Sequence, residues 1–269
     1  MSAPERYDPG DRPSDRLRLE HEARYAFAAQ LAEERDLLDV GCGAGIGART
    51  CIEAGAKSAT LLDADEAACN LARDTLHGLK KVEIRHGAAQ ALPWRKPRFD
   101  LVLFLEIIEH LEDPRAALES LARVLRPRGV VVLSTPAIND PGNRHHLRCY
   151  ETAEQLKDEL RAVFAHVRIF SQQALCGSAI DAGKTYPRGQ VLPTHWVALA
   201  GNDKLPSVKS AASWHELDTY EAATLRRLES DIAHLERERD ALKGELSAMR
   251  RSLRWRITGR LARLLGLPE

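Results

Sequence analysis

Apolar residues fall into two regimes along this chain. Between residues 16 and 200, short apolar runs of strand length alternate with segments of helical period; beyond Ser213 a single helical period takes over. The short runs predict strands near 37–41, 58–63, 81–85, 99–105 and 129–134, with two more at 166–171 and 194–200. Helices are predicted near 46–55, 65–77, 114–125 and 151–163. Arg16 to Glu34 reads as a leading helix, with Leu17, Tyr25, Ala28 and Leu31 as its buried positions. This alternation predicts a doubly wound, mostly parallel seven-stranded α/β sheet. Ligands of such sheets lie at the carboxyl ends of the strands. Asp39, Asp63, the Gly87-Ala88 turn and Glu106 all fall there.

The first strand runs into Asp39-Val40-Gly41-Cys42-Gly43-Ala44-Gly45-Ile46-Gly47. Glycine lets a strand turn sharply into a helix and lets backbone approach a ligand. Gly43-x-Gly45-x-x-Ala48 fits a dinucleotide fingerprint, whereas Asp39, two residues before the first glycine, favours a different nucleoside cofactor. Asp63 ends the second strand, where a carboxylate can accept both hydroxyls of a ribose. It could instead cap the next helix, but Asp65 is better placed for that.

Composition narrows the setting. The 269 residues hold one ample domain plus an appendage, and 39 basic against 39 acidic residues give no overall charge that favours nucleic acid. The five cysteines, Cys42, Cys51, Cys69, Cys149 and Cys176, are odd in number and lack a C-x-x-C. That favours a reducing compartment over a disulfide framework. No signal-like or membrane-spanning run is present, so a cytoplasmic protein is expected.

The ordered set of motifs resembles the class I S-adenosylmethionine (AdoMet) methyltransferases, whose fold is Rossmann-like. It comprises D-x-G-x-G-x-G, Leu61-Leu62-Asp63, His86 to Trp94, Phe99 to Phe104 and Arg123 to Gly129, and covers roughly residues 16–200. The resemblance implies AdoMet as cofactor, held by Asp39, Gly41, Cys42, Gly43, Gly45, Asp63, Ala64, Ala88, Ala89 and Glu106. Most relatives carry an acid where Ala88 stands, so a backbone group or Gln90 would take over the adenine contact. In Glu20 to Phe27, also similar to some members, Arg24 or Tyr25 could meet the methionine carboxylate, or Tyr25 could be core and Arg24 a surface ion.

Glu106-Ile107-Ile108-Glu109-His110 carries the candidate chemistry. An alcohol acceptor needs a base, or a metal that lowers its pKa. This E-x-x-E-H run with a later histidine is similar to the metal site of small-RNA 3′-terminal 2′-O-methyltransferases, and a related pattern occurs in ubiquinone-pathway O-methyltransferases. The resemblance implies Glu106, Glu109, His110 and His146 as ligands, with His145 as a substitute for His146. Carboxylates alone suit Mg²⁺; imidazoles shift the preference to Mn²⁺, Fe²⁺ or Zn²⁺. Two other readings stay open: His110 as a metal-free base, and neither role. Catalysis is thus assigned to Glu106, His110 and His146. The loop with Pro141, Gly142 and Asn143 suggests a lid, and Ser134 to Ala137 borders the acceptor.

Residues 1–15 read as an irregular arm, 201–213 as a linker and 214–253 as a C-terminal helical coiled-coil extension. Leu225, Leu228, Ile232, Leu235, Leu242, Leu246, Met249 and Leu253 form its seam, interrupted at Arg239. A homo-oligomer or a single amphipathic helix folded back on the domain would explain the seam. Residues 254–269 continue a tail of arginines interleaved with Trp255 and aliphatics. It suits an anionic membrane surface and resembles the ending of bacterial methyltransferases and glycosyltransferases that build surface polysaccharides. The expectation is therefore an O-methyltransferase acting on a sugar hydroxyl of a polysaccharide or glycolipid, at the inner face of the cell membrane or in a glycan-assembly complex. RNA ribose 2′-O-methylation and small-molecule O-methylation are the alternatives, although the tail offers little footprint for nucleic acid. A non-catalytic scaffold and an NAD-dependent dehydrogenase are further rivals.

Overall fold

The computed structural model describes residues 15–137, 145–174, 177–181, 193–214, 239, 241–245 and 248. The chain divides into two compact units, Met1–His215 and Glu216–Glu269. The first unit runs α1 (Asp15–Ala29), β1 (Asp36–Val40), α2 (Ile46–Glu53), β2 (Ser58–Asp63), α3 (Glu66–Thr75), β3 (Val82–His86), β4 (Phe99–Leu105), α4 (Pro114–Val124), β5 (Leu125–Pro136), α5 (Ala153–Arg161), β6 (His166–Ala174), β7 (Gly177–Asp181), β8 (His195–Gly201) and β9 (Ala211–Trp214). One sheet contains all the strands in the order β3-β2-β1-β4-β5-β8-β6-β7-β9. β1 to β5 pair in parallel, and β8, β6, β7 and β9 join antiparallel.

The apolar runs are continuous because both sheet faces are covered. Leu37, Leu61, Leu101 and Leu103 face a core shared with Phe27, Leu31, Cys51, Ala72 and Leu76 from α1, its following turn, α2, α3 and the residue after α3. Their neighbours Leu38, Val40, Leu62, Val102 and Phe104 face the opposite core with Leu118, Leu121, Leu156 and Leu160 of α4 and α5. Asp65 caps α3 by accepting from the Ala67 N–H, and Asp113 caps α4 by accepting from Ala116 N–H. The strand order reverses between β1 and β4, so the loops after those strands diverge and open a cleft.

The seven expected strands are present, and two more extend the antiparallel edge. β9 corrects the reading of 201–213 as a linker. Leu205 and Val208 pack against the core, and the Lys209 N–H donates to Gln30 Oε1 at 2.9 Å. The Ser- and Lys-rich composition of 201–213 hid a short edge strand that pairs antiparallel with β7. The leading helix also ends earlier than expected, at Ala29. The coiled-coil seam and basic tail lie almost wholly outside the described residues, as do the lid residues 138–144 and Cys176. Within the second unit, residues 241–245 are helical, with Leu242 65% exposed. Among the described residues, no helix is long and apolar enough to cross a membrane.

Phe27, fully buried, meets Phe170 edge-on at 5.0 Å and ties α1 to β6. Phe27→Ala is expected to cost about 3–5 kcal/mol in urea unfolding; a loss below about 1 kcal/mol would show that α1 does not rely on this contact.

Candidate active site

A cavity of about 700 Å³ opens over the carboxyl ends of β1, β2, β4 and β5. Its lining includes Gly41, Cys42 and Gly43 from the glycine loop, and Asp63, Ala64 and Asp65 from the tip of β2. Gly87, Ala88, Ala89 and Gln90 follow from the turn after β3. Glu106 and His110 face it from beyond β4, and His145 and His195 from beyond β5.

The glycine loop is shaped by backbone demands. Gly45 caps α2 at φ +76°, and a Cβ there would come within 3.1–3.3 Å of Leu76, Ala72 and Leu61. It turns the chain but does not line the cavity. The Asp63 carboxylate fastens the loop: Oδ2 accepts from Gly43 N–H and Oδ1 from Asp65 N–H, both at 2.9 Å. Asp63 also lines the cavity.

Asp39 departs from its expected place. It is buried beneath the loop, outside the cavity lining, and accepts a hydrogen bond from the Tyr25 hydroxyl at 3.2 Å. Burial pushes its carboxyl up to about 7, against the bond from Tyr25. The Tyr25 ring fills the space that a side chain at Gly47 would need. Tyr25 thereby joins α1 to the loop, while lining the cavity itself. Arg24 is neither a surface ion nor a cavity residue, being fully buried.

Glu106 adopts φ +57°, a left-handed conformation that costs a non-glycine residue about 1–3 kcal/mol. Its Oε1 accepts from Ser134 Oγ at 2.5 Å, and Arg24 Nη1 stands 3.7 Å away. Its Oε2 lies 3.2 Å from His195 Nε2. Burial alone would raise the Glu106 carboxyl, but Arg24, His195 and the Ser134 hydroxyl outweigh it and hold it below the usual carboxylate range. His21, on the α1 wall, is pushed down to about 3 by burial first and Arg24 second, so its imidazole is neutral at physiological pH.

Glu109, His110 and His146 form a separate group at the rim, with one potential ligand atom from each within 4.8 Å of the others. Glu106 lies outside this group, because its side chain turns inward to Arg24 and His195. The segment after β5 is docked on the turn that carries Glu109. Leu147 N–H donates to Glu109 O at 2.8 Å, and Arg148 donates to the carbonyls of Leu111 and Glu112 at 2.7 and 3.0 Å. His110 Nδ1 is 3.0 Å from the His145 carbonyl, which can only accept. Nδ1 therefore carries a hydrogen.

Sequence reasoning missed His195 and passed over His21. His195 opens an apolar strand with no motif around it; its register opposite Pro136 on β5, the neighbour of β4, brings it to Glu106. His21 lay within the Glu20 to Phe27 segment, but helical spacing there gave Arg24 and Tyr25 equal claim.

Residues 38–133 match a protein family described as a methyltransferase domain. A protein of Mycolicibacterium smegmatis named "Probable S-adenosylmethionine-dependent methyltransferase" is 36% identical over 142 residues, 52% of this chain and 54% of its own length. A ubiquinone biosynthesis O-methyltransferase of Dinoroseobacter shibae is 38% identical over 102 residues, 37% of this chain and 40% of its own. The chain thus spans about half the length, or less, of these curated relatives. The PH0226 protein from Pyrococcus horikoshii OT3 shares the fold at a TM-score of 0.51 and 17% identity, covering 72% of this chain and 94% of that one. The sheet has the Rossmann-like fold of the class I methyltransferases, and residues 38–133 are similar to a methyltransferase domain.

Asp63→Asn is expected to weaken binding of S-adenosylhomocysteine by about 10–100-fold in calorimetry, the worth of hydrogen bonds to a charged acceptor; unchanged affinity would remove Asp63 from the cofactor site. Asp39 holds its proton in the folded state up to about pH 7, whereas the unfolded chain releases it near pH 3.9. Its stabilising contribution is therefore complete below about pH 4 and lost as pH rises to about 7. Urea titrations of wild type and Asp39→Asn should show wild type losing ground to the variant across that window. Parallel stability curves would contradict a buried, proton-holding Asp39.

Proposed function

We propose that the protein is an AdoMet-dependent O-methyltransferase whose acceptor carries neighbouring hydroxyls, a sugar hydroxyl of a polysaccharide or glycolipid being the chosen substrate class. The observation that carries the reading is one cavity lined by both a ribose-type carboxylate, Asp63, and His110, which offers a ring nitrogen within reach of the Glu109 and His146 donors. Methyl transfer from a sulfonium is an in-line displacement, so the protein's work is alignment and handling of the acceptor proton. The glycine loop and Asp63 align the nucleoside. Glu106, held ionised, offers an acceptor for hydrogen bonds on the cavity floor. Leu105, Ile107, Leu111 and Pro136 exclude water from the reacting centre.

One carboxylate and two imidazoles fit Mn²⁺, Fe²⁺ or Zn²⁺ better than Mg²⁺, which prefers oxygen donors. Glu109, His110 and His146 would hold such an ion; Glu106 would not. A bound divalent ion lowers the pKa of a coordinated hydroxyl. The names of the ubiquinone-pathway relatives support an oxygen acceptor. The ending that resembles polysaccharide-assembly enzymes supports a glycan, and the heptads and arginine-rich tail support self-association and a station at the inner membrane face.

Radiolabelled AdoMet offered with methyl glycosides, catechols and short RNAs should label the glycosides. Transfer confined to RNA or catechol would replace the glycan reading with one of those. Chelation should abolish turnover, Mn²⁺ or Zn²⁺ should restore it, and His110→Ala and His146→Ala should each lower it at least about tenfold. Full activity in chelator would remove the ion.

A further inference from the structure

One polar chain beneath the cavity is left without a role by the glycine loop, the ribose carboxylate and the rim donors. It begins at Gln172 on β6, which is fully buried. Gln172 Nε2 donates to the Glu20 carbonyl of α1 at 2.9 Å, and its Oε1 accepts from Arg24 Nη1 at 3.1 Å. The same Arg24 nitrogen faces Glu106 Oε1 at 3.7 Å. On the far side, the Gln172 carbonyl accepts from Thr194 N–H at 2.9 Å, and His195, next in sequence, meets the other Glu106 oxygen. Gln172 thus touches both arms that hold the carboxylate.

Such a chain is costly. Arg24 Nε and Nη2 are buried without a hydrogen-bond partner, and Glu106 sits in a left-handed conformation. Apolar residues of similar volume would hold α1 against the sheet at least as well. The expense is explained if the carboxylate meets a cation inside the cavity. Asp63 serves the nucleoside end, and the opposite, amino-acid end of AdoMet carries an α-ammonium. His21 beside it is uncharged at physiological pH and adds no repulsion.

We propose that Gln172 and Arg24 are positioning residues for Glu106, and that the carboxylate they orient accepts hydrogen bonds from the α-ammonium of the cofactor. This rests on the cavity holding AdoMet, not on the identity of the acceptor.

Two probes separate the possibilities: S-adenosylhomocysteine, and 5′-methylthioadenosine, which keeps the adenosine and sulfur but lacks the amino-acid end. In calorimetry on the full chain, Glu106→Gln should weaken S-adenosylhomocysteine about tenfold or more and leave methylthioadenosine within about twofold. Gln172→Leu and Arg24→Met should show the same selectivity to a smaller degree. The Glu106→Gln/Gln172→Leu double variant should lose little more than Glu106→Gln alone. Equal weakening of both probes by Gln172→Leu would make that residue merely structural and overturn the proposal, as would full S-adenosylhomocysteine affinity in Glu106→Gln. If Arg24→Met does not fold, the Gln172 and Glu106 variants decide. Wild type that binds neither probe would fail the cofactor reading itself, and the proposal with it.

Discussion

The site depends on one carboxylate bridging two strand tips. Asp63 at the end of β2 accepts from the backbone of Gly43 after β1 and of Asp65 at the start of α3. That bridge joins the bonds from the Gly41 and Gly45 N–H groups to the Leu62 and Cys42 carbonyls in fixing a loop of small residues with several positive φ angles. With it, the loop becomes a rigid edge beside the point where the strand order reverses. Both partners are backbone N–H groups, so the orientation of the carboxylate does not depend on other side chains of the loop.

The rest of the cavity is assembled around that edge by α1. The helix reaches the loop through Tyr25, which bonds Asp39 and packs on Gly47. It reaches the antiparallel half of the sheet through Phe27 and Arg24. β7 and β9 widen the sheet beneath it. One helix therefore connects the parallel half that carries the glycine loop with the antiparallel half that supplies His195 and Gln172. Buried ionic groups gather at that junction, where Glu106 is kept charged against the cost of burial.

Two polar groups of different character reach the cavity, one through Glu106 and His195 and the other through His110. The inner group, Glu106 with Arg24, His195 and Ser134, is sheltered and closely paired. The rim group, Glu109, His110 and His146, is held by backbone hydrogen bonds between two loops. The split separates duties that the E-x-x-E-H string had merged. A 3-10 turn at Ile108–His110 swings Glu109 and His110 away from Glu106, although all three lie within five residues.

Local sequence pattern was enough to predict the doubly wound sheet, the strand-to-helix turn at Gly41–Gly47 and the acid at the tip of β2. Each depends on short-range periodicity or on backbone conformations that particular residues permit. It also located the segment carrying Glu106, Glu109 and His110. Long-range packing sets the rest: Asp39 supports the loop from below, Glu106 parts from the rim donors, and residues 211–214 form an edge strand. His195, Gln172 and Arg24 belong to the same class. They come from β8, β6 and α1, and strand register alone brings them together. Contacts between residues separated by 22 to 152 positions leave no trace in local spacing, because they are set by how the sheet stacks its strands.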